Sequence, residues 1–178
     1  MSNRLDVCSY IPSENDKIFI DTNVWLYLFC PVGQYNQDIV DVYNRFFLRL
    51  LKNKSTIYTS SMIVSEFFNT YSRIEFNIKK NQNPNRYRNY KKDFRNTEEF
   101  EVLSKDICNL LNNKIFKYSK KLDDNFSSID ISNILLGDKN FDFNDKYFAK
   151  LCEDNNIKIL THDKDFLSLN NNIDIITT

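Results

Sequence analysis

The residues of this sequence that are best suited to chemistry are carboxylates that stand beside apolar runs. Asp21 ends the run KIFID, and Asp163 lies two positions beyond the run IKILT. Glu66 lies within the stretch IVSEFF, where burial of an unpaired charge would be costly. Asp145 lies near the start of a predicted helix, with Asp142 three positions earlier on the same face. If these side chains converge, they form a site made only of oxygen ligands.

Such a cluster would have a specific chemical use. Converging carboxylates repel one another unless a cation neutralises them, and oxygen ligands suit Mg²⁺ or Mn²⁺, which also bind substrate phosphate oxygens. Each acid has a structural alternative as well. Asp21 is also a plausible helix cap, Glu66 a partner in a buried ion pair, and Asp142 a charge favoured by the helix dipole. Asp165 is typical of a turn, and His162 of a solvated residue or one that supports a metal ligand.

The rest of the composition narrows the chemistry. Only two glycines are present, Gly33 and Gly137, and no GxGxxG or GxxxxGK[ST] sequence, which argues against a dinucleotide site and a P-loop. The single histidine excludes a ribonuclease mechanism that uses one histidine as base and another as acid. No GxSxG sequence occurs, and four cysteines without a CxxC pair predict reduced core thiols. Any catalysis must therefore depend on carboxylates.

The hydrophobic pattern predicts the elements that would position these acids. Short apolar runs predict strands at 17–21, 56–60 and 157–161, with a weaker strand at 173–177. Apolar residues at helical spacing predict helices at 24–29, 37–52, 60–76, 98–120, 128–136 and 142–154. The helix at 128–136 is expected to end at Gly137. Strands that alternate with helices imply a parallel α/β sheet, whose ligands bind beyond the carboxyl ends of the strands. Asp21 and Asp163 lie at two such ends.

One segment departs from this alternation. Residues 79–95 (KKNQNPNRYRNYKKDFR) contain no aliphatic side chain, and they concentrate positive charge in a chain whose 24 basic and 24 acidic residues balance. Cations interleaved with aromatic rings suit phosphate pairing combined with base stacking, although a basic loop is often only a solvated surface. The residues predicted to contact RNA are Arg86, Arg88, Lys91, Lys92, Tyr87 and Tyr90.

The order of the acids and the sequences around them resemble the PIN domain, the nuclease fold of VapC-type toxins. The resemblance runs from residue 17 to about 168 and is carried by IDTNVWLYLF, SMIVSEFF and FDFNDKYFAKLCEDNNIKILTHDKDF, whereas 79–140 matches poorly. The family has an Asp after the first strand, a Glu in an early helix, an Asp that opens a later helix and a final Asp in a turn. The matching residues here are Asp21, Glu66, Asp145 and Asp163. The family's small polar residues beside the acids are matched by Thr22, Asn23 and Thr161.

The resemblance implies a three-layer α/β/α fold with a central parallel sheet of four to five strands. The length of the chain predicts a single domain over 1–178, with a basic, aromatic insertion at about 75–97. The resemblance further implies metal-dependent hydrolysis of RNA phosphodiester bonds, in which Asp21, Asp145 and Asp163 hold Mg²⁺ or Mn²⁺, with Glu66 and Asp142 as further candidate ligands. The implied partners are RNA, an antitoxin protein and a second copy of the chain.

Three functional alternatives stay open at this point. The protein could bind RNA or scaffold a complex without cutting, or it could be a housekeeping RNA-processing nuclease rather than a toxin. A phosphohydrolase of the haloacid dehalogenase type would need a second Asp two residues after the first, where this chain has Asn23. No long apolar stretch opens the sequence and no run approaches the length of a membrane span, so a cytoplasmic protein without a membrane partner is expected.

Overall fold

The protein folds around a parallel sheet. The computed structural model describes residues 3–124, 126–136, 141–169 and 172–178. Within them the strands are β1 (Asn3–Asp6), β2 (Lys17–Ile20), β3 (Thr56–Thr59), β4 (Lys120–Lys121), β5 (Lys158–Leu160) and β6 (Asp174–Thr177). Their order is β1-β6-β5-β2-β3-β4, and each neighbouring pair is parallel. The predicted parallel α/β fold is confirmed, but the sheet has six strands rather than four to five.

The two additional strands lie at the edges of the sheet. β1 has the sequence NRLD and β4 the sequence KK, and neither contains the short apolar run that indicates a buried strand. Their side chains are mostly exposed, and β4 is held by its backbone, which pairs with Tyr58 and Thr59 of β3. Charged residues on an edge strand discourage pairing with a strand of another chain. The same charged residues make the two edge strands difficult to predict from sequence.

Helices flank the sheet along the described residues. They are α1 (Thr22–Phe29), α2 (Gln37–Lys52), α3 (Ser61–Gln82), α4 (Glu98–Leu110), α5 (Phe116–Tyr118), α6 (Ile131–Leu135) and α7 (Phe143–Asn155). The predicted helix at 98–120 is confirmed as α4, a π-helical turn (Leu111–Ile115) and α5, whereas the one at 128–136 shortens to α6. Gly137, expected to end it, lies outside the described residues. Of the helices described, none combines the length and apolar character needed to cross a bilayer.

The centre of the sheet is fully buried. Ile18, Phe19 and Ile20 of β2 are completely shielded from solvent, as are Ile159 and Leu160 of β5. Such continuous apolar runs are typical of parallel strands that are covered on both faces. These two buried strands therefore fix the positions of the residues that follow their carboxyl ends.

The cysteines divide into two kinds. All four thiols are free; Cys30 and Cys152 are buried, whereas Cys8 and Cys108 are exposed. The prediction of four core thiols was therefore wrong for two of them, because apolar neighbours in sequence do not place a side chain on the buried face of its element.

The segment at 79–95 is folded, which corrects its interpretation as a possible surface loop. α3 continues to Gln82, and a π-helical turn follows at Tyr90–Phe94. Four aromatic side chains form a hydrophobic cluster separate from the main core: Phe76, Tyr87, Phe94 and Phe100. We call this group the aromatic cluster; it fixes the segment against α3 and α4.

The aromatic cluster also corrects the role predicted for Tyr87. Its side chain is 5% exposed, and its hydroxyl donates a hydrogen bond to Glu99 (2.7 Å). Tyr90 is half-buried, and its hydroxyl lies 2.7 Å from the hydroxyl of Ser72. The Tyr87 ring is therefore not available for stacking on a base, because it packs against the Phe94 ring and the Arg86 guanidinium lies over it.

The strand order reverses at β2. The chain leaves β2 for β3 and β4 on one side, and later crosses to β5 on the other side. In open parallel sheets, ligands bind at such a switch point, in the crevice beyond the carboxyl ends of the two strands. Here that crevice lies between Asp21, which follows β2, and Thr161, which follows β5.

Candidate functional site

Asp21 occupies the centre of this crevice. Its backbone N–H donates to the Leu160 carbonyl (3.0 Å), and its Oδ1 accepts from the N–H of Thr22 (2.6 Å), so that it caps α1. Its Oδ2 accepts from Asn23 Nδ2 (2.6 Å) and from the Thr161 hydroxyl (2.7 Å). The cap and the ligand are not exclusive, because Oδ1 accepts one hydrogen bond and retains a second acceptor position.

Thr161 ties the ends of the two central strands together. Its hydroxyl donates to Asp21 and accepts from Asn23 Nδ2 (3.1 Å) and from the Asp163 N–H (2.9 Å). Asn23 in turn accepts at Oδ1 from the N–H of His162 (3.2 Å). The small polar residues beside the acids thus hold the Asp21 carboxylate in one orientation and shape the turn that carries Asp163.

Glu66 reaches the same crevice from α3. Its Oε2 accepts a hydrogen bond from the Thr22 hydroxyl (2.9 Å), which links α3 to the start of α1. Burial raises the pKa of the half-buried Glu66, and the charge of Asp142 raises it further, against the opposing effect of the Thr22 hydrogen bond. Glu66 therefore lies within the field of the acids on α7.

Two acids open α7. Asp142 caps the helix by accepting at Oδ1 from the N–H of Asp145 (3.0 Å). Burial raises the pKa of Asp145 to about 7, and the charges of Asp142, Asp163 and Asp21 add to this rise. Asp145 consequently faces the acids that follow β2 and β5.

The remaining acid, Asp163, caps the 3-10 turn at Lys164–Ser168. Its Oδ1 accepts from the N–H of Asp165 (2.9 Å), whose own side chain is exposed. Burial raises the pKa of Asp21 to about 7, and the charges of Glu66 and Asp163 add to it, whereas hydrogen bonds from Thr161 and Thr22 oppose it. Asp163, one of the three predicted metal ligands, is therefore electrostatically coupled to Asp21 after β2 and to Asp145 on α7.

The predicted acids thus come together at one edge of the sheet, and their chemistry can be compared with a metal site. The donors are all oxygens, which fits Mg²⁺ or Mn²⁺ better than zinc. The pKa values of Asp21 and Asp145 are raised chiefly by burial and further by neighbouring acids, and a bound cation would favour the charged carboxylates. Within residues 3–124, 126–136, 141–169 and 172–178, however, no three Asp, Glu, His or Cys side chains are gathered tightly enough to form a ready metal site. The acids fit a cation in type and position without forming a closed coordination shell.

Sequence reasoning missed one residue beside the acids, Tyr27. Its hydroxyl lies 2.8 Å from Nδ1 of His162, and its pKa is raised by burial and by the charges of Asp21 and Asp163. Tyr27 lies four positions after Asn23 in α1, on the same helical face, and this spacing was the signal that could have found it.

The basic segment presents its cations at the surface. Arg86 and Lys79 both pair with Glu99, each at 2.9 Å, whereas the side chains of Arg88, Lys91 and Lys92 are exposed. The predicted RNA contact by these cations stays a prediction; only the stacking role of Tyr87 is contradicted by its burial.

Comparison with known protein families identifies a match. A family model described as PIN domain matches residues 18–172, a range that contains all five acids of the crevice. No curated protein matches the chain.

Proposed function

We propose that this chain, which belongs to the PIN-domain family, hydrolyses RNA phosphodiester bonds with the help of a divalent cation. PIN domains are generally nucleases and typically use divalent metals. The observation that carries the proposal is the mutual coupling of Asp21, Asp145 and Asp163 at the switch point of the sheet. Coupled, partly buried acids are costly to a fold, and such groups cluster at functional sites.

The residues that would hold Mg²⁺ or Mn²⁺ are Asp21, Asp145 and Asp163, with Glu66 and Asp142 at the border of the site. When bound, the cation supplies charge for the phosphoryl oxygens and makes water more acidic. Thr161 and Asn23 hold the Asp21 carboxylate in place, as supporting hydrogen bonds commonly do for acids of this kind.

Glu66 is the acid best placed to handle the attacking water. Its raised pKa makes it a better proton acceptor than an exposed glutamate, and the Thr22 hydroxyl fixes one of its oxygens. Water attacks phosphorus, its proton passes to Glu66, and the 3′-oxygen leaves and takes up a proton. The 2′-hydroxyl takes no part, so the products carry 5′-phosphate and 3′-hydroxyl ends.

The biological role proposed is that of a VapC-like toxin in the cytoplasm, silenced by an antitoxin protein that covers the acids. The support is the resemblance of the sequences around Asp21 and Asp163 to those of such toxins. A housekeeping RNA-processing nuclease would use the same site. A PIN fold that only binds RNA is disfavoured, because all of its acids are retained and coupled.

The test is cleavage of total RNA by the purified protein with Mn²⁺ and with EDTA. The Asp145→Asn variant is compared with Asp165→Asn, an exposed acid close in sequence to the site. We expect cutting by the wild type and Asp165→Asn with Mn²⁺ only, leaving 5′-phosphate ends, and none by Asp145→Asn. Equal cutting by Asp145→Asn, or cutting in EDTA, would refute the carboxylate mechanism.

A further inference from the structure

A cavity of about 560 Å³ opens at the carboxyl ends of β3 and β4, beside the acids. It is lined by the junction of β3 and α3, by the first residue of α5, by the last residue of β4 and by the three residues that follow β4. Phe19 of β2 pairs with Tyr58 of β3, which brings Asp21 level with Ser60 on the next strand. Neighbouring strands lie about 5 Å apart, so the cavity and the acids share one edge of the sheet.

The floor of the cavity carries a hydroxyl group without a partner. Thr59 lines the cavity and is 1% exposed, and its Oγ1 has no hydrogen-bond partner among the described atoms. A buried hydroxyl that has lost its hydrogen bonds to water and made none to the protein destabilises a fold, and such groups are rare in native structures. The Thr59 hydroxyl is covered in the empty cavity, so a polar group that bonds to it must displace the atoms above it.

The walls limit what that group can be. Val64, Phe116 and Leu122 give the cavity an apolar side, which suits the faces of a planar ring. The charged residues that line it are Lys121, Asp123 and Asp124, so two carboxylates oppose one ammonium group. The Lys121 ammonium lies 4.4 Å from the centroid of the Phe116 ring, which holds it beside the apolar wall. This balance disfavours a phosphate inside the cavity and favours an uncharged ring that donates N–H groups.

We propose that the cavity binds a nucleobase of the RNA strand next to the bond that is cut. This proposal rests on the proposed function of the neighbouring acids. The Thr59 hydroxyl hydrogen-bonds the inner edge of the base, while the carboxylates of Asp123 and Asp124 accept from its amino group, as acidic side chains do from cytosine N4. Lys121 lies at the side of the cavity and neutralises an adjoining phosphate. The site therefore selects bases that carry an exocyclic amino group and binds uracil less well.

The test is equilibrium binding of labelled hexanucleotides in EDTA, where no cleavage occurs. The probes are hexaadenylate, hexacytidylate, hexauridylate and an abasic hexamer, and the variant is Thr59→Val, which removes the hydroxyl at nearly constant volume. The matched control is Thr177→Val, since Thr177 is also a buried threonine whose hydroxyl has no partner among the described atoms, but it ends β6 and does not line the cavity. We expect the adenine or cytosine hexamer to bind tighter than the other two probes. Loss of one hydrogen bond predicts that Thr59→Val weakens the preferred probe by about 3- to 10-fold, with no change in Thr177→Val.

The outcomes separate this proposal from the nuclease proposal. Equal affinity for all four probes, no effect of Thr59→Val, or an equal loss for the abasic hexamer would each refute the base-binding cavity, the last by indicating a phosphate contact. Cleavage with Mn²⁺ by a protein that shows no base preference would support the nuclease proposal and refute the base-binding cavity. Base preference in EDTA without any cleavage in Mn²⁺ would support the base-binding cavity and refute the nuclease proposal.

Discussion

Replacement of Asp145 by Asn should stabilise the metal-free protein. The substitution removes a negative charge that faces Asp142, Asp163 and Asp21, and it keeps the backbone N–H that Asp142 accepts in capping α7. The pKa of Asp145 is raised from 3.8 to about 7, chiefly by burial. In EDTA, at a pH where this carboxylate must ionise, the wild type therefore carries a cost that the variant lacks: the burial of a charge, increased by repulsion from neighbouring acids.

The size and pH range of the effect follow from that pKa. A rise from 3.8 to about 7 corresponds to about 4 kcal/mol for a fully buried group, and solvent screening at half-buried Asp145 reduces this to about 1–2 kcal/mol. A carboxyl whose pKa is raised in the folded state stabilises the fold at low pH, and this contribution is lost as pH increases from about 4 to about 7. The difference in free energy of unfolding should therefore be near zero at pH 4 and complete at pH 8.

The assay is thermal unfolding from pH 4 to 8, in EDTA and in Mn²⁺. In EDTA at pH 8 we expect the Tm of Asp145→Asn to exceed that of the wild type by about 3–6 °C. Mn²⁺ should stabilise the wild type, by about 2.7 kcal/mol at a hundredfold excess over Kd, and the variant much less. Asp165→Asn, the exposed control, should follow the wild type in both conditions. A variant that is less stable than the wild type in EDTA at pH 8 would show that the charge of Asp145 is not repelled by its neighbours.

Three further predictions concern other parts of the molecule. Asp21→Asn should abolish cleavage with an unchanged circular dichroism spectrum, because it removes charge without volume; wild-type rates would exclude Asp21 as a ligand. Phe94→Ala, at a fully buried position of the aromatic cluster, should cost about 3–5 kcal/mol locally. It should open residues 79–97 to proteolysis while the fluorescence of Trp25 in the main core stays constant; a change in that fluorescence would show that the two cores unfold together. Replacement of four exposed cations by glutamine should weaken RNA binding and reduce its salt dependence; the cations are Arg86, Arg88, Lys91 and Lys92. Unchanged salt dependence would show that these side chains contact only solvent.

The parts of the fold that sequence reasoning predicted are those in which burial and periodicity coincide. KIFI and KIL are buried strands at the sheet centre, and α2 shows an apolar stripe through Tyr43, Phe46 and Leu50 that packs into the core. The position of Asp21 was likewise predictable, because an acid directly after a central parallel strand lies at the carboxyl edge of the sheet. Chain order alone therefore indicated where Asp21 and Asp163 meet.

The parts that were missed depend on contacts that no local pattern records. The burial of Tyr87 depends on Phe76 of α3 and Phe100 of α4, and within KKNQNPNRYRNYKKDFR the tyrosine has the neighbours of a surface residue. The edge strand β4 contains only two lysines, so its existence depends on hydrogen bonds from β3. The unpartnered hydroxyl of Thr59 could not be anticipated either, because threonine is ordinary in a strand and only the surrounding atoms leave it without a partner.

The length of α3 connects the acids with the basic segment and sets a further test. Glu66 lies near the start of this helix, whereas Lys79, which shares Glu99 with Arg86, lies thirteen residues later, about 20 Å along the axis. That distance exceeds the Debye length of about 8 Å at physiological salt, so these cations cannot act on the acids through their field alone. An RNA strand that keeps the helical rise of roughly 3.4 Å per phosphate covers this distance with about six nucleotides. Neutralising the four exposed cations should therefore weaken binding of a dodecanucleotide and leave that of a trinucleotide unchanged, and an equal loss for both would show that the basic segment does not mark a second contact along the strand.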